Sequence, residues 1–249
     1  MTTPHQPRRR AAFTLIELLI VISIIAILAA AAIPVAGLVR QSANASRSMS
    51  NLRQLGSALS AYQAEHSGHY PAIEGDSKIP KLDNWVAELV VQLNPDSTVE
   101  ELSNELPTKV FVSPGLAWPN PSGSGSLQFD EFINTYSATD CMVGYDFEDS
   151  EDSRRGRLVS TIERKPETFL IVEGQQAGGT ASAISWIPWE EASSDLGGDA
   201  DSAQSVDFRY RDRFHALMAD MSAKGVGEKD AKDIMQYNWN GIDYPDSRR

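Results

Sequence analysis

The sequence is poor in cysteine and lacks the common catalytic motifs. Its single cysteine, Cys141, cannot form an internal disulfide, and no paired-cysteine pattern of the kind found in zinc sites is present. Neither a phosphate-binding loop of the Walker type nor the glycine fingerprint of dinucleotide-binding domains occurs. These absences give no support to an enzyme, and we expect none.

Positive charge is also scarce. The chain has 22 lysines and arginines against 34 aspartates and glutamates, a net charge of −12. Removal of residues 1–12, which carry three arginines and no acids, would lower the net charge to −15. An acidic surface of this kind lacks the cationic patch that contacts phosphates, so nucleic acid is not expected as a partner.

What the sequence does contain is one long apolar run, Phe13 to Ile33. Of its 21 residues only Thr14, Glu17 and Ser23 are polar. A helix of this length spans about 30 Å, enough to cross the hydrocarbon core of a bilayer. Three arginines at 8–10 precede the run, so the positive-inside rule predicts a cytoplasmic N-terminus and an exported remainder.

Three interpretations fit an N-terminal apolar run: a secretory signal, a plain membrane anchor and a processed anchor that assembles. Glu17 distinguishes them, because a carboxylate in the apolar core costs about 2.5 kcal/mol on insertion scales and needs compensation. A signal peptide or a plain anchor offers no reason for that acid. A solvated acid at the membrane interface is the simple alternative.

The residues FTLIELLIVISIIAILAAAAIP, 13–34, resemble the mature N-terminus of type IV pilins and type II secretion pseudopilins. The resemblance implies that prepilin peptidase cleaves between Ala12 and Phe13 and that the new amine of Phe13 is methylated. It also implies that Glu17 pairs with its own amine or that of a neighbouring subunit, and that Pro34 bends the helix. The family usually has glycine before the cut, where this chain has Ala12.

Apolar residues at three- and four-residue steps continue the helix to about Glu65, and Ser67-Gly68 is expected to end it. The fold class predicted is α+β, pilin-like, with a long N-terminal transmembrane spine helix packed against a mainly antiparallel β-sheet. The predicted segments are a cleaved leader (1–12), a transmembrane half of the helix (13–33), an outer half (34–67) and an exported α+β head (68–249).

Within the head, periodicity predicts a helix over Leu82–Leu93 and a series of short strands. Turn residues separate the strands, which favours antiparallel pairing. The predicted strands are Lys109–Ser113, Cys141–Phe147, Leu158–Ile162, Thr168–Glu173, Ala183–Ile187, Ser205–Tyr210 and Phe214–Ala219.

Two acidic clusters suggest calcium, which binds six to eight oxygens in flexible loops. Neither cluster has EF-hand spacing, so a solvated acidic face is the preferred interpretation and no metal or other cofactor is expected. The calcium candidates are Asp146, Glu148, Asp149, Asp195, Asp199 and Asp201. His215 with Asp212 or Asp220 suggests a hydrolase, but no nucleophile elbow accompanies these residues.

The head also resembles, more faintly, large pseudopilin-like proteins of planctomycetes and related bacteria. Those proteins carry a Cys-Pro pair after the first third and a late histidine ten residues before Asp-Gly. This chain has Ser113-Pro114 in place of Cys-Pro, and Asp220 matches the aspartate. Tyr210 replaces the histidine and Met221 the glycine, so only the placement of strands is carried over.

These patterns together predict a structural subunit of a type II secretion pseudopilus or type IV pilus-like filament. Its expected location is the inner membrane, single-pass, with a cytoplasmic N-terminus and a periplasmic or extracellular head. The expected partners are prepilin peptidase and other pilin or pseudopilin subunits. The alternative is a non-polymerising, membrane-anchored binding module that uses a pilin-type leader, with loops at 114–126 and 190–204 and the tryptophans Trp186 and Trp189 available for a ligand.

Overall fold

The structure is a computed structural model, and it describes part of the chain. The described residues are 15–72, 78–79, 82, 84–104, 109–114, 135–142, 156–176, 186–187, 204–206, 208–231, 233–234 and 238–239. The side chains of 31–35, 84, 104, 175–176, 186–187 and 204–205 are left out. The chain divides into two compact units, residues 1–43 and 44–249.

The first unit contains the N-terminal part of helix α1, which runs from Leu15 to Glu65 and includes Pro34. A helix that continues to about Glu65 was predicted, and its existence and its end are confirmed. The helix carries large apolar side chains that are exposed throughout its first four turns. Among the described residues, no helix is both long and apolar enough to cross a membrane.

Helix α1 ends with the backbone geometry predicted at Ser67-Gly68. Both residues have positive φ, 56° at Ser67 and 80° at Gly68. The amide of Gly68 donates to the carbonyl of Gln63 at 2.8 Å, which closes the last turn. Glycine suits this site because it adopts the left-handed region at no steric cost.

The second unit is an α+β head that contains residues 44–65 of α1 and a β-sheet. The described strands are β1 (Tyr136–Thr139), β2 (Phe169–Gln176), β3 (Trp186–Ile187), β4 (Gln204–Val206), β5 (Arg213–Met218) and β6 (Ala223–Gly227). Their order is β3-β1-β2-β5-β6, with β4 also paired to β2. Strands β1, β2, β5 and β6 pair antiparallel, in agreement with the predicted mainly antiparallel sheet, while β3 joins β1 in parallel. The described helices after α1 are α2 (Asn84–Leu93), α3 (Val99–Asn104) and α4 (Glu228–Ala231).

Leucines at helical spacing pack α1 onto one face of the sheet. Leu52, Leu55 and Leu59 are fully buried and share one apolar core with Ile171 of β2 and Leu217 of β5. Helix α2 adds its own apolar side chains to the same core, as the pattern over 82–93 predicted. The opposite face of the sheet carries a second core, built around Phe169, Phe214 and Trp239. The head therefore has two layers of apolar contacts, one on each side of the sheet.

Two predicted strands are wrong. Lys109–Phe111 forms a 3-10 turn instead of a strand, because the ring of Phe111 turns inward and meets the indole of Trp85 edge to face, with ring centroids 6.5 Å apart. Val159–Thr161 is also a 3-10 turn, closed by the hydroxyl of Thr161, which donates to the carbonyl of Leu158. Side-chain packing and a local hydrogen bond override β-propensity at both sites.

The strand predicted from Cys141 is also misplaced. The strand lies earlier, at Tyr136–Thr139, and Asp140–Met142 form a 3-10 turn; residues 143–147 lie outside the described part. Strands β2 and β5 lie where they were predicted, to within a few residues at their ends. Residues 186–187 fall inside the predicted strand 183–187. Strand β4 overlaps the predicted strand 205–210 only at 205 and 206, and residues 209 and 210 lie in a turn instead. Strand β6 and helices α3 and α4 were not predicted.

Candidate assembly segment and a buried glutamate cluster

The N-terminal part of α1 presents apolar side chains on all sides. The large apolar residues between Leu15 and Leu28 are between 46% and 82% exposed, and five of them, Leu18 to Ile22, are consecutive. Consecutive residues on a helix point in different directions, so this surface has no polar face. An apolar surface of this extent is found where a helix meets lipid or another protein.

The polar groups of this segment are few and are placed where a helix tolerates them. The hydroxyl of Ser23 donates to the carbonyl of Leu19 at 2.7 Å, so it needs no partner outside the helix. Glu17 is exposed and lies in the first turn, where the helix dipole favours a negative charge. The carboxylate is therefore positioned at the end of the helix that would meet a newly formed amine.

The other residues named for processing and assembly are only partly described. Ala12 and Phe13 lie outside the described residues, and Pro34 lies within α1 with its side chain left out. All six calcium candidates, Asp146, Glu148, Asp149, Asp195, Asp199 and Asp201, also lie outside the described residues. Processing, the bend at Pro34 and calcium binding stay predictions.

A second feature, which the sequence interpretation missed, is a glutamate buried between α1 and the sheet. Glu173 of β2 has no exposed surface. Its Oε1 accepts hydrogen bonds from Ser48 of α1 at 2.5 Å and from Ser113 at 2.7 Å. Its Oε2 accepts from the backbone amide of His215 in β5 at 2.7 Å. Three separate segments therefore converge on one carboxylate, which we call the Glu173 cluster.

Two tyrosines complete the Glu173 cluster. The hydroxyl of Tyr136 lies 3.0 Å from that of Ser48, and the hydroxyl of Tyr210 lies 2.7 Å from that of Ser113. Burial, and then the nearby carboxylate of Glu173, raises the pKa of the Tyr136 phenol well above its ordinary value. The phenol therefore keeps its proton and is available as a donor.

The chemistry of these groups fixes the direction of each hydrogen bond. Both serine hydroxyls donate to Oε1 of Glu173. Each serine has a single proton, and the tyrosines must then donate to the serines. Charge-assisted bonds of this length are about twice as strong as neutral ones, which offsets the cost of burying the carboxylate.

His215 borders the cluster without completing a catalytic relay. Its Nδ1 lies 3.2 Å from Oε2 of Glu173, without the alignment of a hydrogen bond, and its ring stacks on Tyr210 with centroids 4.7 Å apart. A hydrolase places histidine between the nucleophile and the acid, whereas here the serines bind the acid directly. The order of contacts therefore differs from that of a hydrolase triad.

Asp220, one of the two aspartates suggested beside His215 in a hydrolase, binds a neighbouring turn instead. Its Oδ1 accepts from the amide and the hydroxyl of Ser222, at 3.0 and 2.6 Å, and so stabilises the turn between β5 and β6. Partial burial opposes ionisation, but the hydrogen bonds from Ser222 outweigh it and lower the pKa of the carboxyl. The carboxylate that His215 approaches is instead that of Glu173.

The structure brings together two of the three positions at which the head departs from the large pseudopilin-like proteins, Ser113 and Tyr210. Ser113 stands where those proteins have cysteine and Tyr210 where they have histidine, and the two hydroxyls are hydrogen-bonded. The sequence did contain a signal for Glu173, the residue that Ser113 contacts. Glu173 is the one acid in the apolar strand FLIVE. It lies two residues after the core residue Ile171 and therefore on the same face of the strand. An acid on the buried face of a strand needs buried donors.

Comparison with known proteins gives one match, at the N-terminus. Residues 7–33 match the prokaryotic N-terminal methylation motif. This is the prepilin-type signature of type IV pilins and pseudopilins. The motif covers Ala12, Phe13 and Glu17, and it indicates a membrane-anchored, exported protein. No curated protein and no solved structure matches the chain.

Cys141 provides a test of the buried core. Burial raises the pKa of its thiol to about 12, and the thiolate is the reactive form. We expect the folded protein at pH 8 to react with iodoacetamide at least about 100-fold more slowly than the unfolded chain, because the thiol is both buried and protonated. Labelling followed by mass spectrometry, with and without guanidinium, measures the ratio. Similar rates in both states would contradict the burial of Cys141.

Proposed function

We propose that this chain is a structural subunit of a type II secretion pseudopilus or a type IV pilus-like filament. Prepilin peptidase cuts before Phe13, and the mature helix anchors the subunit in the inner membrane until it assembles. The observation that carries the proposal is the methylation motif at 7–33 on a helix whose apolar side chains are exposed on all sides. Neighbouring subunits would cover this surface in a filament.

Glu17 has a defined role in this proposal. Once the leader is removed, Phe13 carries a cationic amine four residues before Glu17. A carboxylate in hydrocarbon is stabilised by a paired cation, and pairing with the amine of a neighbour would fix the axial position of one subunit on the next. The proposed role is mechanical, and we propose no enzymatic activity for the Glu173 cluster or for His215.

The intact mass of protein recovered from native membranes tests the processing step. We expect a mature chain that begins at Phe13 with one added methyl group, because the motif includes both the cleavage site and its basic leader. A protein that retains Met1 would contradict processing, and a start near Ala30 would indicate a secretory signal instead. Ala12→Gly provides the control, since it restores the residue usual in the family and should increase the processed fraction.

A membrane-anchored binding module is the second candidate. It is favoured by the size of the head, residues 44–249, to which the methylation motif does not extend. In this case the leader serves export and anchoring alone, and the head binds a ligand without polymerising. The two candidates differ in their need for Glu17, which gives a direct test.

A further inference from the structure

One side of α1 stays exposed along the head, while the leucines on its other side are buried against the sheet. Five exposed side chains form this side, and each lies three or four residues from another of the set. Residues at that spacing are neighbours on the surface of a helix. The five are Arg47, Ser50, Arg53, Gln54 and Ser57, which we call the arginine face.

The arginine face carries two cations and no acid. Nε2 of Gln54 donates to the carbonyl of Ser50 at 3.3 Å, and the hydroxyl of Ser57 donates to the carbonyl of Arg53 at 3.0 Å, so these two side chains bond within the helix. Residues 44–64 contain no aspartate or glutamate. Within the described part of the chain, neither guanidinium of this face forms an ion pair. The two arginines are therefore the groups of this face that are left to bind a partner.

A second surface of the head has the opposite charge. Residues 82–108 contain six acids and no lysine or arginine. Asp96, in the turn between α2 and α3, and Glu100, in the first turn of α3, are exposed. Val99 lies between them in the sequence and is 41% exposed, the one exposed large apolar side chain outside α1 among the described residues. These three residues, which we call the acidic corner, combine an apolar centre with a charged rim, as protein contact surfaces do.

The acidic corner is held in place by the head. Leu102 of α3 is buried in the core that α1 and α2 share. The amide of Thr98 donates to Oε2 of Glu101 at 2.8 Å, and the amide of Glu101 donates to the hydroxyl of Thr98 at 3.2 Å, which fixes the first turn of α3. The carboxylate of Glu101 is thus used within α3. Those of Asp96 and Glu100 form no hydrogen bond or ion pair within the described residues and are available to a partner.

From this complementarity we propose that the arginine face of one subunit binds the acidic corner of a second copy of this chain. Two arginines meet two carboxylates, and opposite charges orient one surface on the other. Because the two surfaces differ, each copy uses both, and the contact repeats into an open chain instead of closing a pair. Exposed ion pairs are weak one by one, so the contact orients copies that the membrane already concentrates. The inference rests on the proposed function, since it takes the partner to be another subunit.

Cross-linking of cysteines placed in the two surfaces tests the contact. The full chain with Ser50→Cys and Val99→Cys is expressed in cells, and the membranes are treated with a short bis-maleimide; the buried Cys141 stays unreactive. We expect a ladder of dimers, trimers and larger products, because each copy contacts two others. Either new cysteine alone should give no product, because the two surfaces differ. Co-expression of the two single-cysteine chains should give dimers only.

Charge reversal in the double-cysteine chain tests the chemistry of the contact. Arg47→Glu with Arg53→Glu should reduce the cross-linked fraction at least about tenfold, because like charges then face each other. Adding Asp96→Arg and Glu100→Arg should restore the ladder, which would not happen if the first two changes had prevented folding. Glu101 is left unchanged because it bonds Thr98.

The control Arg213→Glu with Lys229→Glu changes the net charge by the same amount at exposed residues outside both surfaces, and it should keep the ladder. A ladder that persists after reversal on α1, or none from the double-cysteine chain itself, would overturn the contact. Filaments sheared from the same cells separate this inference from the proposed function. Filaments without a ladder would refute the contact and leave the subunit role standing, whereas a ladder without filaments would support the contact and count against that role.

Discussion

Replacing Glu173 with glutamine should lower the free energy of unfolding of the head by about 2–4 kcal/mol. Hydrogen bonds to a charged group contribute about 1.5–3 kcal/mol, and a buried donor left without an acceptor adds its desolvation cost. The glutamine amide nitrogen accepts no hydrogen bond, so it cannot satisfy the amide of His215 while its oxygen serves both Ser48 and Ser113. The shape of the side chain is unchanged, and the loss is therefore one of charge and hydrogen bonding.

Denaturant unfolding of the full chain in detergent measures this effect. Trp85 and Trp239 are fully buried on opposite sides of the sheet, so tryptophan fluorescence reports on both cores. The matched control is Glu167→Gln, at a carboxylate whose side chain is 55% exposed and 3.9 Å from Arg164. We expect a change within about 0.5 kcal/mol there. Equal effects at the two sites would show that burial of Glu173 does not stabilise the head.

The parts of the fold that the sequence predicted are those with strong local patterns. Helix α1 is long, and it is followed by Gly68, which adopts the positive φ needed to end a helix. Helix α2 and strands β2 and β5 are short but have apolar faces with clear periods. Each pattern lies within one segment, so no knowledge of the tertiary fold was needed to recognise it.

The misplaced elements depend on contacts with distant residues. The segment Lys109–Ser113 has the composition of a strand, but Phe111 packs on Trp85 and the segment turns. The pattern at 158–162 is equally apolar, and there a hydroxyl bond closes a turn. Local composition cannot distinguish a strand from a buried turn when the packing partner lies elsewhere in the chain.

The Glu173 cluster shows the same limit for sites. Ser48 is 125 residues from Glu173 and Ser113 is 60 residues away. The sequence shows an acid on the apolar face of a strand, which predicts a buried partner, but it does not show which of many serines meets it. Sheet pairing and the docking of α1 select those partners, and both are properties of the assembled fold. The N-terminal motif differs because its residues are consecutive, and it was recognised from the sequence and matched at 7–33.

Glu17→Ala should abolish filament assembly while leaving the protein in the membrane. The substitution removes a charge from an otherwise apolar helix, so insertion becomes more favourable by about 2–3 kcal/mol. If Glu17 pairs with the amine of Phe13 in a neighbouring subunit, its removal leaves that cation without a partner in an apolar surrounding, and association fails. Membrane retention and loss of assembly are thus expected together, which a general defect in folding would not produce.

Two measurements on the same cells separate the two candidate functions. One is the amount of filament recovered by shearing, and the other is the fraction of the protein bound to the membrane. The control Glu65→Ala removes an exposed carboxylate at the other end of the same helix, where it accepts from Gln92 at 2.8 Å, and should leave assembly intact. Normal filaments from Glu17→Ala would refute the pairing role. If wild type and variant both remain in the membrane without filaments and retain the same ligand binding, the anchored binding module is the better description. Under the proposed subunit role the carboxylate is required, because an ion pair between two apolar helices fixes the position of one along the other.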